Sequence, residues 1–348
     1  MHKILILYWP IADYTIACLE ELCAKGHQVV LVRYAANKDA PFKEVFPPNL
    51  TVYDRQSFSK GDLLRFAIKF NPDITYISGW VDKEYLQIGQ WCKQRLKPVI
   101  MALDNPWEGT LRQYLGLLIF RLRYAKSFTH AFVAGYRQYE FARKLGYKYA
   151  DILFNMYAAR TKNFENSPIE TRFDPPNQQK TLLYIGRLVE YKGITELYNA
   201  FSELENELGE KLNWRLAIYG NGVLRDKLKE SEHIKIADFI QPADIPQVLN
   251  HAHAFCLPSY SESWGVVVHE FAAAGLPLLV SEGVSAREQF VINGYNGIVF
   301  KKQEIKAALL KLLSFDDAAL EQMGRNSRFL SYKISPASWA TTFLSVLK

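Results

Sequence analysis

Cysteine is scarce in this 348-residue sequence, and the few present are scattered. Cys18, Cys23, Cys92 and Cys256 make no C-x-x-C pair. That spacing excludes a disulfide scaffold and a zinc ribbon, and the four read as free thiols of a reducing compartment. No D-x-D occurs. The nearest approach is Asp82-Lys83-Glu84, which suits a solvated helix start better than a metal clamp. No stretch of ~20 residues runs apolar without a charge, so no membrane-spanning helix is expected. The six apolar residues after Lys3 are too few for the core of a signal peptide and read as a first strand, which points to a cytoplasmic chain. Low-complexity tracts and short repeats are missing too, which leaves out solenoids and disordered tails.

What remains is globular: 49% hydrophobic and 22% charged residues. The length is about twice that of a typical domain, so two cores are expected. The net charge of +6 is uneven. Residues 1–157 carry 21 Lys+Arg against 14 Asp+Glu, and residues 158–348 carry 21 against 22. A basic first half fits an anionic lipid, a nucleic acid or an acidic substrate. No nucleic-acid recognition element accompanies it, so nucleic acid is set aside.

Strand-like runs organise both halves. Lys3–Tyr8, a helical stretch ended by Gly26, and His27–Arg33 make a βαβ unit, continued by Ile74–Ser78, Val99–Leu103 and Phe128–Ala134. A second series holds Thr181–Ile185, Trp214–Tyr219, His233–Phe239, Ala254–Leu257, Leu278–Ser281 and Gly297–Phe300. The segment 158–180, with Pro168, Pro175 and Pro176, reads as a linker. The expected domains are therefore 1–157 and 181–329, with a last helix at about 330–348 packing back on the first. Two doubly wound α/β domains facing across a cleft would bind a ligand at the carboxyl ends of their strands.

Three segments carry candidate chemistry. In Pro258–Pro277, P-S-Y-S-E-S-W-G-V-V-V-H-E-F-A-A-A-G-L-P, Glu262 and Glu270 are eight residues apart. A helix from Trp264 would put Glu270 about two turns in, and the eight residues from Glu262 to Glu270 would span ~12 Å of helix. It would also turn the free N–H groups of Trp264, Gly265 and Val266 toward an anion. Gly186-Arg187 and Lys192-Gly193 follow a strand and can clamp a diphosphate. Gly220-Asn221-Gly222 is a weak phosphate-loop signal. His251 and His253 alternate but lack a third ligand, so no metal site is expected. Leu111–Lys126 mixes Arg112, Arg121, Arg123 and Lys126 with a broad apolar surface. It suits a core helix, the reading favoured here, or a helix lying on an anionic membrane.

Together, G-R-L-V-E-Y-K-G at 186–193, I-Y-G-N-G at 218–222, the Pro258–Pro277 run and N-G-Y-N-G-I-V-F at 293–300 resemble the family 4 glycosyltransferases. The resemblance covers roughly residues 181–300. It implies a GT-B fold of two Rossmann-like domains and a retaining, hexosyltransferase-like enzyme. The implied donor is a nucleotide-diphosphate sugar, with no further cofactor. Arg187, Lys192 and Glu262 would be catalytic. Gly186, Gly220, Ile240, Trp264, Gly265, Val266 and Glu270 would bind the donor, Glu270 through its ribose and the Phe239-Ile240-Gln241 loop through its base.

The first half departs from the family pattern. Paired glycines are missing after the first strand, and Asp104-Asn105 stands where many members have a histidine beside the sugar. Asp104 and Asn105 are thus candidates for sugar or acceptor contact. The missing D-x-D and the two cations imply transfer without a metal. The expected acceptor is a glycan or lipid-linked glycan of surface polysaccharide assembly, such as O-antigen, capsule or exopolysaccharide, with peripheral contact at the inner membrane face. The alternative is a GT-B subunit that binds the donor but is catalytically silent.

Overall fold

Each half of the chain builds one parallel sheet. The computed structural model describes residues 1–35, 42–174 and 178–347. In the first half the strands are β1 (Lys3–Tyr8), β2 (Gln28–Arg33), β3 (Leu50–Asp54), β4 (Ile74–Ile77), β5 (Val99–Leu103), β6 (His130–Val133) and β7 (Ile152–Phe154). Their order is β3-β2-β1-β4-β5-β6-β7, every neighbour parallel. The order reverses between β1 and β4, where Ile4 faces Val29 on one side and Ile74 on the other. Strands covered on both faces must be apolar almost throughout, and five of the six residues of β1 are buried. The helix Asp13–Ala24 covers one face with Ile16, Leu19 and Leu22.

The second half holds β8 (Lys180–Ile185), β9 (Trp214–Tyr219), β10 (Ile234–Ala237), β11 (Ala254–Leu257), β12 (Leu278–Ser281) and β13 (Gly297–Phe300). Their order is β10-β9-β8-β11-β12-β13, again parallel, with the reversal between β8 and β11. Leu182, Leu216, Ile218, Cys256 and Leu279 meet Leu197, Phe201 and Leu309 in its core.

Of the described residues, 1–35, 43–158 and 334–347 form the first compact unit, and 42, 159–174 and 178–333 the second. The stretch that reads as a linker is packed. Phe164, Ile169 and Phe173 are buried, and the buried guanidinium of Arg172 donates to the carbonyls of Gly275 (2.6 Å) and Ala274 (3.0 Å). Pro175 and Pro176 lie outside the described residues. In the first unit, the Trp339 indole N–H donates to the Met156 carbonyl at 2.8 Å, and its ring stacks on Phe132 and Phe343.

The core-helix reading of Leu111–Lys126 is overturned. None of residues 111–119 is buried, because their apolar stripe points outward and the segment is held through Phe120. The four cysteines are buried free thiols. Among the described residues no helix is long and apolar enough to cross a membrane. No group of three His, Cys, Asp or Glu among them is arranged to hold a metal.

His253 has a structural post. Its Nδ1 accepts the Thr181 backbone N–H at 3.0 Å, and its ring meets Phe173 edge-on. Burial first, and the Arg172 cation second, hold its pKa down to about 4 from 6.5. The unfolded chain therefore takes up a proton near pH 6.5 that the folded chain refuses until about pH 4. Stability from this group is complete above pH 6.5 and drains away as the pH falls through that window, by on the order of 3 kcal/mol. His253→Asn retains an acceptor near the Nδ1 position without the titration. Urea unfolding at pH 7 and pH 4 should show wild type losing about 3 kcal/mol more than the variant. Parallel losses would contradict the assignment.

Candidate functional site

The carboxyl ends of β8 to β11 carry the segments singled out in the sequence. β8 is followed by Gly186-Arg187, β9 by Gly220-Asn221, β10 by the loop to Gln241, and β11 by Pro258–Gly265. Ligands of doubly wound sheets sit at this edge beside the strand-order reversal. The β8 and β11 loops flank that reversal here.

The β8 and β11 loops are locked together. The Tyr260 N–H donates to the Tyr191 carbonyl at 2.9 Å. Gly193 holds a left-handed φ of +70°, and a Cβ there would stand 2.2 Å from the Pro258 carbonyl oxygen. Only glycine allows the backbones to come so close. The ammonium of Lys192 consequently pairs with the carboxylate of Glu262. Their side chains are 15% and 18% exposed, so the pair is shielded yet open to a ligand. The Glu262 backbone is bridged to Val284, its N–H donating to the Gly283 carbonyl at 3.0 Å.

Arg187 is exposed. Its guanidinium donates to the Tyr191 hydroxyl, and Tyr184 donates to its carbonyl at 3.0 Å. Arg187 and Lys192 lie 5.6 and 5.8 Å from the centre of the Tyr191 ring. One aromatic ring thus gathers both cations. The same edge holds a cavity of about 170 Å³ lined by Ile185, Gly186, Arg187, Tyr219, Gly220, Asn221, Phe239 and Ile240. Asn221, its amide turned to donate, reaches Asp238 at 3.1 Å.

The helix after Glu262 starts later than the sequence suggests. It spans Val266–Ala273, with Gly265 as its cap at a φ of +96°. A left-handed residue cannot continue a helix backward, so Trp264 stays outside it, buried, its carbonyl accepting from Ala286 at 2.9 Å. Glu270 is the fifth helical residue, ~6 Å along the axis and little more than one turn in rather than two. It is half-buried. Val266 and Val267 open the helix, so their N–H groups have no intrahelical acceptor.

Asp104 and Asn105 belong to the first unit, at the carboxyl end of β5. Tyr157 donates to the Asp104 carboxylate at 3.3 Å, and burial pushes the carboxyl pKa up. Asn105 is exposed. Sequence reasoning missed Tyr191, although an aromatic between two spaced cations was a legible signal. It also passed over Ser259, Tyr260 and Ser285, whose hydroxyls are buried without a protein partner among the described residues. Only tertiary packing marks them.

Residues 167–328 match the family model of the glycosyl transferases group 1. An uncharacterized glycosyltransferase of Haemophilus influenzae is 28% identical over 161 residues, 44% of this chain and 45% of its own length. The capsular polysaccharide biosynthesis glycosyltransferase CapM of Staphylococcus aureus is 25% identical over 173 residues, 47% of this chain and 44% of its own. The chain thus spans less than half the length of these relatives. Among solved structures, Anabaena HepE in complex with UDP and glucose matches 100% of this chain and 99% of its own at a TM-score of 0.72. At 16% identity that likeness is one of fold. The fold is that of the GT-B glycosyltransferases. All the segments at the carboxyl edge of the second sheet lie inside the group 1 region.

Gly193→Ala tests the loop junction. A left-handed alanine costs roughly 1–2 kcal/mol before any clash, and the Pro258 carbonyl at 2.2 Å forces the loops apart. A lowered unfolding midpoint together with weakened nucleoside diphosphate binding is expected. Unchanged values for both would show that the junction does not depend on this contact.

Proposed function

We propose that the protein transfers a sugar from a nucleoside-diphosphate sugar to a hydroxyl acceptor with retention of anomeric configuration. The carrying observation is the shielded Lys192–Glu262 pair at the β8/β11 reversal, with Arg187 gathered on the same Tyr191 ring. The group 1 match and the UDP-bound neighbour support the donor class. Arg187 and Lys192 hold the diphosphate and neutralise the charge that grows on it as the glycosidic bond breaks. The acceptor attacks from the face the diphosphate leaves, and a diphosphate oxygen takes its proton. No divalent metal is required, because two side-chain cations supply that charge.

Glu262, the helix-start N–H groups at Gly265 and Val266, and the buried hydroxyls of Ser259 and Tyr260 serve the sugar. Glu270 serves the ribose, and Gly186, Gly220 and Ile240 serve the diphosphate and base. Trp264 supports this set from the core. Asp104 and Asn105 of the first unit are assigned to the sugar or acceptor. The acceptor is a glycan or lipid-linked glycan of surface polysaccharide assembly, met at the cytoplasmic side of the membrane. The capsular relative supports that class.

The two glutamates separate the sugar end from the ribose end. Glu270→Ala should weaken donor and free nucleoside diphosphate alike, by roughly 1.5–3 kcal/mol. Glu262→Ala frees the Lys192 ammonium, so free-nucleotide affinity should hold or tighten while turnover falls. Calorimetric titration, beside kinetics run in excess chelator, makes the comparison. A Glu262→Ala loss in nucleotide affinity equal to that of Glu270→Ala would reverse the assignment. Turnover abolished by chelator and restored by a metal would remove the metal-free step, and a wild type that never releases nucleotide from any donor would make it a silent binding subunit.

A further inference from the structure

We infer that residues 111–126 of the first unit form a docking face for an anionic lipid surface. The proposal stands apart from the transfer reaction. It rests on a helix that faces the wrong way for a folded core. Leu111, Tyr114, Leu115, Leu118, Ile119 and Leu122 follow the i, i+3, i+4, i+7, i+8, i+11 spacing of one helical stripe. Such a stripe normally turns inward. Here Leu111 is 84% exposed, Leu115 64% and Leu122 73%. Phe120 holds the segment instead, buried against Trp80, Phe128 and Tyr147.

The charge around the stripe names the occupant. Arg112, Arg121, Arg123 and Lys126 are all exposed. No Asp or Glu falls between Glu108 and Glu140. The Arg121 guanidinium donates to the Lys144 carbonyl at 2.7 Å, and the Lys144 ammonium pairs with Glu140 at 3.7 Å. An outward apolar face whose own segment carries four exposed cations and no carboxylate fits an interface of acyl chains and anionic headgroups. A second copy of the chain would set this cation cluster against its own duplicate in a twofold contact. Charge complementarity therefore favours lipid over self-association.

Co-sedimentation of the full chain with phosphatidylglycerol–phosphatidylcholine vesicles, against phosphatidylcholine alone, tests this. Wild type should pellet with the anionic vesicles, and less so in high salt. Leu115→Gln/Leu118→Gln should lower the partition at least tenfold. Arg123→Gln/Lys126→Gln should lower it about fivefold per cation removed. Both pairs are exposed, so circular dichroism and nucleoside diphosphate binding should match wild type. Equal pelleting with neutral and anionic vesicles, or variants that bind as wild type does, would overturn the proposal. So would a wild-type dimer in sedimentation velocity that Leu115→Gln/Leu118→Gln dissolves, which would make a second copy the occupant.

Discussion

One ion pair ties the candidate site together. The Lys192 ammonium comes from the loop after β8 and the Glu262 carboxylate from the loop after β11, the strands that flank the order reversal. Neither charge could sit so shielded alone, since removing one partner of such a pair leaves the other uncompensated. The pair therefore fixes the separation of the two loops. Gly193 packed under the Pro258 carbonyl, and the Tyr260 to Tyr191 backbone bond, supply the close approach it needs. In the proposed reaction an incoming diphosphate would compete for Lys192 and release Glu262 toward hydroxyl donors. On that proposal the resting pair is a preorganised stand-in for charges that arrive with the substrate.

Behind the loops, two polar residues are satisfied by the protein itself. Asn296, within the N-G-Y-N-G run, is fully buried and accepts from the Ile292 N–H at 2.7 Å. It also donates to the Phe290 carbonyl at 2.8 Å and to Ser327 at 3.1 Å. His269, one residue before Glu270, accepts the Ala159 N–H at 3.1 Å and stacks on Phe290. These residues look chemical in the sequence, yet they hold the turn and helix beneath the site. The hydroxyls of Ser259, Tyr260 and Ser285 are the contrast, buried and without protein partners among the described residues.

Most strands were legible because parallel, doubly covered strands leave continuous apolar runs. β3 and β7 were not. Leu50–Asp54 buries Leu50 alone, and Ile152–Phe154 has three residues, as edge strands tend to. The loops bearing Arg187, Lys192 and Glu262 were readable from cations and carboxylates placed next to strand ends. The register of the Glu262–Glu270 segment was not, because the left-handed backbone of Gly265 delays the helix by two residues. Residues 111–126 misled for a different reason. Periodicity reveals an apolar face but not the direction it points, and Phe120 with Leu117, rather than the stripe of Leu111, Leu115 and Leu118, meets the core.

The central claim is that Lys192 serves the diphosphate. Calorimetric titration of wild type and Lys192→Ala, each with the nucleoside diphosphate and with the unphosphorylated nucleoside, tests it most directly. The account predicts a loss of at least about tenfold for the diphosphate, the scale of one charge-assisted hydrogen bond, and no change for the nucleoside. Equal affinities of both proteins for the diphosphate, or an equal loss for both ligands, would contradict it.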